Sequence, residues 1–171
     1  MDILAIDPSL RSLGYAFMDR EGVRVGVIKP SDDLRGAARL EVHRHAVERL
    51  LDVAEPTFIV YEGYAMSRRA NMAFSVGELG GVLKLLFHSR KLPVLIVPPT
   101  SLKMFATGKG NADKDQMRVA MGKHRGKFFK SDDEADAYAL LQFGRAFLEP
   151  RLRPRDRRHY IHRALAGSEL T

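Results

Sequence analysis

Ile3-Leu4-Ala5-Ile6-Asp7-Pro8 is the stretch from which the rest of the chain can be oriented. Four apolar residues end on an acid and a proline, which reads as a buried strand followed by a break. Downstream, Gly14 to Met18 alternates Tyr15 and Phe17 with smaller residues, and Val23 to Ile28 is again rich in β-formers. Turn residues near Pro8 and from Asp19 to Gly22 separate these runs. The opening of the chain therefore predicts three strands in an antiparallel meander.

The pattern then changes period. From Asp32 to Ala54, Leu34, Ala38, Val42, Leu50 and Val53 recur at roughly helical spacing, closed by Glu55-Pro56. Phe58-Ile59-Val60-Tyr61 is a second buried-type strand, and it delivers Glu62 at its end. Ala70 to Arg90 predicts another helix and Pro93 to Val97 another strand. Thr100 or Ser101 is placed to cap a short helix holding Lys103. Helical stretches follow from Asp113 to Lys123 and from Ser131 to Leu148. Strands and helices alternating in this way predict an α/β fold.

The 171 residues fit one domain, and 45% apolar content with 8% aromatic residues describes a chain able to build a core. No apolar run is long enough to cross a bilayer, and acids occupy the N-terminus where a signal peptide would carry Lys or Arg. The absence of cysteine excludes disulfides, thiolate metal sites and thiol nucleophiles, and a cytoplasmic setting is expected. Lys plus Arg number 28 against 21 Asp plus Glu, a net charge of +7, which favours a polyanionic partner such as nucleic acid. Residues 151 to 163 hold six Arg and one Asp, so the chain divides into a domain at 1–148 and a basic C-terminal tail at 149–171.

Where the acids fall is more telling than how many there are. Asp7 and Glu62 both end apolar strands, and ligand sites of open sheets lie beyond strand ends. Asp133 and Asp136 are three apart near the start of the last helix, hence on one face, with the small residues Ala135 and Ala137 as neighbours. Their neighbours have structural explanations: Ser131 and Glu134 fit a capping box, and Asp132 complements the helix dipole. Four carboxylates drawn together would repel unless cations neutralise them, and hard oxygen ligands suit Mg²⁺ or Mn²⁺. Two such ions about 4 Å apart support in-line phosphodiester displacement. Each acid alone could equally be a cap or a surface charge; the constellation is what points to chemistry.

These residues resemble the RuvC family of junction resolvases, in the RNase H-like superfamily. The resemblance rests on Ile3 to Pro8 with Gly14-Tyr15-Ala16, on Val60-Tyr61-Glu62, and on Asp133 to Leu140 with its Asp-x-x-Asp-Ala pattern. Between them, Lys103 and Lys114 resemble a family segment bearing two lysines eleven positions apart. The match covers roughly residues 1 to 147, four weak motifs in the family's order. It implies an RNase H-like mixed sheet, three antiparallel strands then parallel strands, flanked by helices. It also implies a homodimer that cuts four-way DNA junctions with paired nicks, leaving 5′-phosphates, and no small-molecule cofactor. Mg²⁺, with Mn²⁺ able to substitute, would be held as two ions by Asp7, Glu62, Asp133 and Asp136. Lys103 and Lys114 would contact phosphates, with Lys114 nearest the developing charge.

The chain departs from the family at Ser9 and Leu13, which stand where Gly and Thr are usual, and at the junction-opening aromatic expected just after Glu62. There Tyr64 comes early, either as a base-stacking residue or as a packed loop aromatic, and Arg68 and Arg69 are placed for phosphate contacts. His43 and His45 face different ways on a helix and predict no shared metal. The alternatives are an RNA-processing nuclease of the same fold and a non-catalytic protein that binds branched DNA.

Overall fold

The computed structural model describes residues 2–64, 70–126, 128–149 and 169–170. Its elements run β1 (Ile3–Asp7), β2 (Leu13–Asp19), β3 (Gly22–Ile28), α1 (Gly36–Ala54), β4 (Phe58–Glu62) and α2 (Ala70–Ser89). They continue with β5 (Val94–Val97), α3 (Pro99–Thr107), α4 (Lys114–Arg125), α5 (Asp132–Leu148) and β6 (Glu169–Leu170). The sheet order is β3-β2-β1-β4-β5-β6. β1 to β3 pair antiparallel, β4 and β5 run parallel to β1, and β6 closes the edge antiparallel to β5. This is the meander followed by parallel strands that an RNase H-like sheet requires.

Burial on both faces explains why β1 and β4 are apolar without alternation. Leu4, Ile6, Ile59 and Tyr61 point to the face covered by α1 and α2, where Val47, Leu79, Leu83 and Phe87 pack on them. Ala5, Ala16 and Val60 point to the other face, against Ala135, Ala139, Leu140 and Phe143 of α5. Small residues on both sides of that second interface let α5 lie close to the sheet. Gly14 of β2 carries this furthest. A Cβ there would run into the Asp133 carbonyl oxygen, far inside contact distance, and would stand 3.3 Å from Ala137 Cβ.

Three local expectations need correction. α1 begins at Gly36, not near Asp32, because Gly36 has φ +49° and residues before it form a turn in which Leu34 N–H donates to the Ser31 carbonyl at 3.2 Å. α3 begins at Pro99 with Pro98 at its N-cap, so Thr100 and Ser101 lie inside the first turn; a proline suits the first helical position because it lacks the N–H that would go unpaired. At the start of α5, Ser131 does accept from the Glu134 N–H, at 3.2 Å, but the Glu134 carboxylate reaches one residue further back, to the Lys130 N–H at 2.8 Å. Of the C-terminal segment read as a basic tail, Glu169 and Leu170 are described, and they lie on β5 as the edge strand β6. Among the described residues, no helix is long and apolar enough to cross a membrane.

Candidate active site

Parallel pairing of β1 with β4 puts Ile6 opposite Tyr61, so the next residues along the two strands, Asp7 and Glu62, leave the sheet side by side. Their carboxyl groups are close enough for each to act on the other's ionisation. Burial raises the affinity of both for protons. For Asp7 the proximity of Glu62 and then of Asp133 adds to this, and for Glu62 the proximity of Asp136 does. Asp136 on α5 is driven by burial first and by Asp7 second, to a pKa of about 7. Asp133 lies in the same field, acting on both Asp7 and Asp136. The four acids selected from the sequence thus come from three elements, β1, β4 and α5, and meet at one end of the sheet.

The lysines face the same spot. Lys114 favours the ionised forms of Asp7, Glu62 and Asp136, and Lys103 that of Glu62. Lys114 occupies the first residue of α4, where the helix dipole disfavours a cation. The helix tolerates it because Asp113 and Gln116 form a reciprocal capping box, at 2.8 and 3.2 Å, and because Asp132 sits 3.8 Å from the ammonium. A positive charge kept against local preference is a mark of function. The same Asp132 also takes Arg118, at 3.4 Å, so it does more than complement its own helix.

A divalent cation would find the right donors here. Three of the four carboxylates are held away from ionisation by burial and by one another, and a bound dication relieves both costs. Among the described residues, no three acidic or histidine side chains stand close enough together to enclose a single ion as placed. A bound dication would favour the ionised forms of Asp7, Glu62 and Asp136, which burial disfavours.

Other expected residues fall as follows. Tyr64 rests its hydroxyl end over Gly80 of α2, with the Lys84 ammonium 5.1 Å from the ring centroid, while 44% of the residue remains exposed. Arg68 and Arg69 lie outside the described residues, as do residues 151–163. His43 is buried and its Nε2 is 3.1 Å from the Leu10 carbonyl oxygen, whereas His45 lies on the surface beside Glu41 and Glu48. The two rings point into different surroundings. Two functional contributions escaped the sequence reading. Gly14 sets the height of α5 over the sheet, and its signal was a glycine inside a strand. The Asp113-x-x-Gln116 box fixes the first turn of α4, and its signal was the same spacing already used at Ser131.

Comparison with known proteins bears on this geometry. A family model described as "Crossover junction endodeoxyribonuclease RuvC" matches residues 3–141, a span that contains all four acids and both lysines. A protein of that description from Pseudothermotoga lettingae is 31% identical over 147 residues, 82% of this chain and 91% of its own. Another from Anaeromyxobacter dehalogenans is 34% identical over 149 residues, 82% of this chain and 78% of its own. The solved structure of Thermus thermophilus RuvC superposes with a TM-score of 0.71 at 23% identity, covering 86% of this chain and 96% of that one. The same protein in complex with Holliday junction substrate gives 0.73 at 20% identity, covering 100% and 99%. At those identities the two structures speak for the fold.

Proposed function

The chain belongs to the RuvC family of crossover junction endodeoxyribonucleases, and from that membership we propose how its own residues do the work. It is a metal-dependent endonuclease that resolves Holliday junctions. The observation that carries the assignment of roles is the meeting of Asp7, Glu62 and Asp136 in one buried field, with Asp133 beside them and the Lys114 charge acting on all three.

Asp7, Glu62, Asp133 and Asp136 hold Mg²⁺, with Mn²⁺ able to substitute, as two ions between them. When bound, these supply the positive charge that lets water attack phosphorus and the 3′ oxygen depart, leaving a 5′-phosphate. The bound charge would favour the ionised forms of Asp7 and Glu62 against the burial that disfavours them. Gly14 and the alanines of α5 fix the distance from Asp133 and Asp136 to the strand ends. Lys114 stands over the acids with most of its side chain in solvent, placed to meet a phosphate, and Lys103 supports it from α3. Tyr64, with one side free, and Arg68 and Arg69 beyond it contact the DNA next to the cut.

The enzyme acts as a homodimer. On α2, Phe74 and Leu85 are 73% and 69% exposed, and Gly77 and Gly81 open onto free space. Positions 74, 77, 81 and 85 form one stripe at helical spacing, a flat apolar face on which a second copy can seat isologously. Gly80, by contrast, is used within the chain, beneath Tyr64.

The test is a synthetic four-way junction incubated with the protein and Mg²⁺. The expected products are two opposed nicks that DNA ligase can reseal. A protein that binds the junction yet leaves it intact in both Mg²⁺ and Mn²⁺ would refute the assignment.

A further inference from the structure

The turn between α4 and α5 carries two adjacent phenylalanines with opposite fates. Phe129 is buried, its ring 5.3 Å from that of Tyr138 and covered by the Arg125 guanidinium at 5.0 Å. Phe128 is 99% exposed, beside Val119 at 55%. Between these rings, Val119 and Gly122 lies a cavity of about 620 Å³, bordered by Arg118 and Lys123. Phe128 gives the folded chain no burial, so its apolar surface is available to something that binds.

We propose that this cavity receives an unstacked base of the DNA substrate, with Phe128 stacked on it and Arg118 and Lys123 holding the adjoining phosphates. An apolar wall, a free aromatic face and two cations, Arg118 held by Asp115 at 2.8 Å, match the two halves of a nucleotide. The position matches as well. Arg118 borders the cavity and also reaches Asp132, the neighbour of Asp133. α4 has 12 residues and so spans about 18 Å, roughly five base-pair steps of DNA. One strand can therefore lie over Lys114 at one end of α4 and meet Phe128 at the other. A continuous duplex keeps its bases stacked; a branch point releases them, so the contact selects for junctions. This inference rests on the nuclease reading above and adds a residue that determines specificity.

The chain contains no tryptophan, so Phe128→Trp installs a single reporter at an exposed position. With cutting held off by Ca²⁺, its emission is expected to be quenched when a four-way junction binds, and much less by an uninterrupted duplex. Phe128→Ala should weaken junction binding about tenfold with the salt dependence unchanged, because stacking releases no counterions. Lys123→Ala should instead reduce the salt slope by about one. Emission that stays constant in a complex seen by gel shift, or that is quenched equally by duplex, overturns the assignment and leaves the patch to a protein partner. Failure of the unaltered chain to bind any junction would overturn the nuclease reading together with it.

Discussion

Replacing Asp136 with asparagine is expected to stabilise the metal-free protein while abolishing its cutting. Burial and the nearby Asp7 raise Asp136 from the ordinary 3.8 to about 7. An acid raised on folding contributes stability that is complete below the unfolded value and is lost as pH rises through the folded one. At pH 8 that loss is complete. Three units at 1.36 kcal/mol each set a ceiling of about 4 kcal/mol, and partial solvent access lowers it to roughly 2–4 kcal/mol. For a chain of this length that is on the order of 5–10 °C in Tm. The assay is thermal unfolding in EDTA at pH 8 and at pH 5, where only about a third of the gain should remain. Mg²⁺ should then raise the Tm of the unaltered chain more than that of the variant, since it binds the folded acids. If Asp136→Asn is neutral or destabilising at pH 8 in EDTA, the acids do not repel one another as described.

Three further outcomes follow from packing and charge. Gly14→Ala should cost about 1–3 kcal/mol, because the obstacle is a backbone oxygen that cannot swing away, and the displaced Asp133 should slow single-turnover cleavage about 100-fold. Burial lowers the pKa of His43, so stability should fall as pH drops through about 6.5, where only the unfolded chain takes the proton. His43→Leu should remove that acid dependence in a pH series of melts, at a cost of about 1–3 kcal/mol for the Leu10 carbonyl left unpaired. Leu85→Glu should yield a monomer in light scattering and single nicks in place of paired ones.

The strands and the acids were legible because each lies in a strong local pattern. Ile3 to Asp7 and Phe58 to Glu62 are apolar runs with a charge at the end, where an unpaired charge is costly, and together with Asp133 and Asp136 they formed a constellation. That Asp7 and Glu62 would stand on adjacent strand ends was not legible, since it depends on β1 and β4 being neighbours in parallel register. The same limit hid Gly14, whose partner Asp133 lies across an interface and far along the chain. Side-chain choices among equivalent donors were also out of reach: Glu134 takes the Lys130 N–H and not that of Ser131, and Asp132 is drawn to Lys114 and Arg118. The edge strand at Glu169 and Leu170 follows a run of arginines and has too few residues to show a period.

The most direct measurement is the cleavage rate of a junction whose scissile phosphate carries one sulfur in place of a nonbridging oxygen. If the acids hold cations against that phosphate, the sulfur should slow cutting strongly in Mg²⁺, which prefers oxygen, and the thiophilic ions Mn²⁺ or Cd²⁺ should restore it. Asp136→Asn should cut neither substrate with any of these ions. Equal rates for oxygen and sulfur substrates in Mg²⁺, in either diastereomer and with chemistry limiting, would contradict the account.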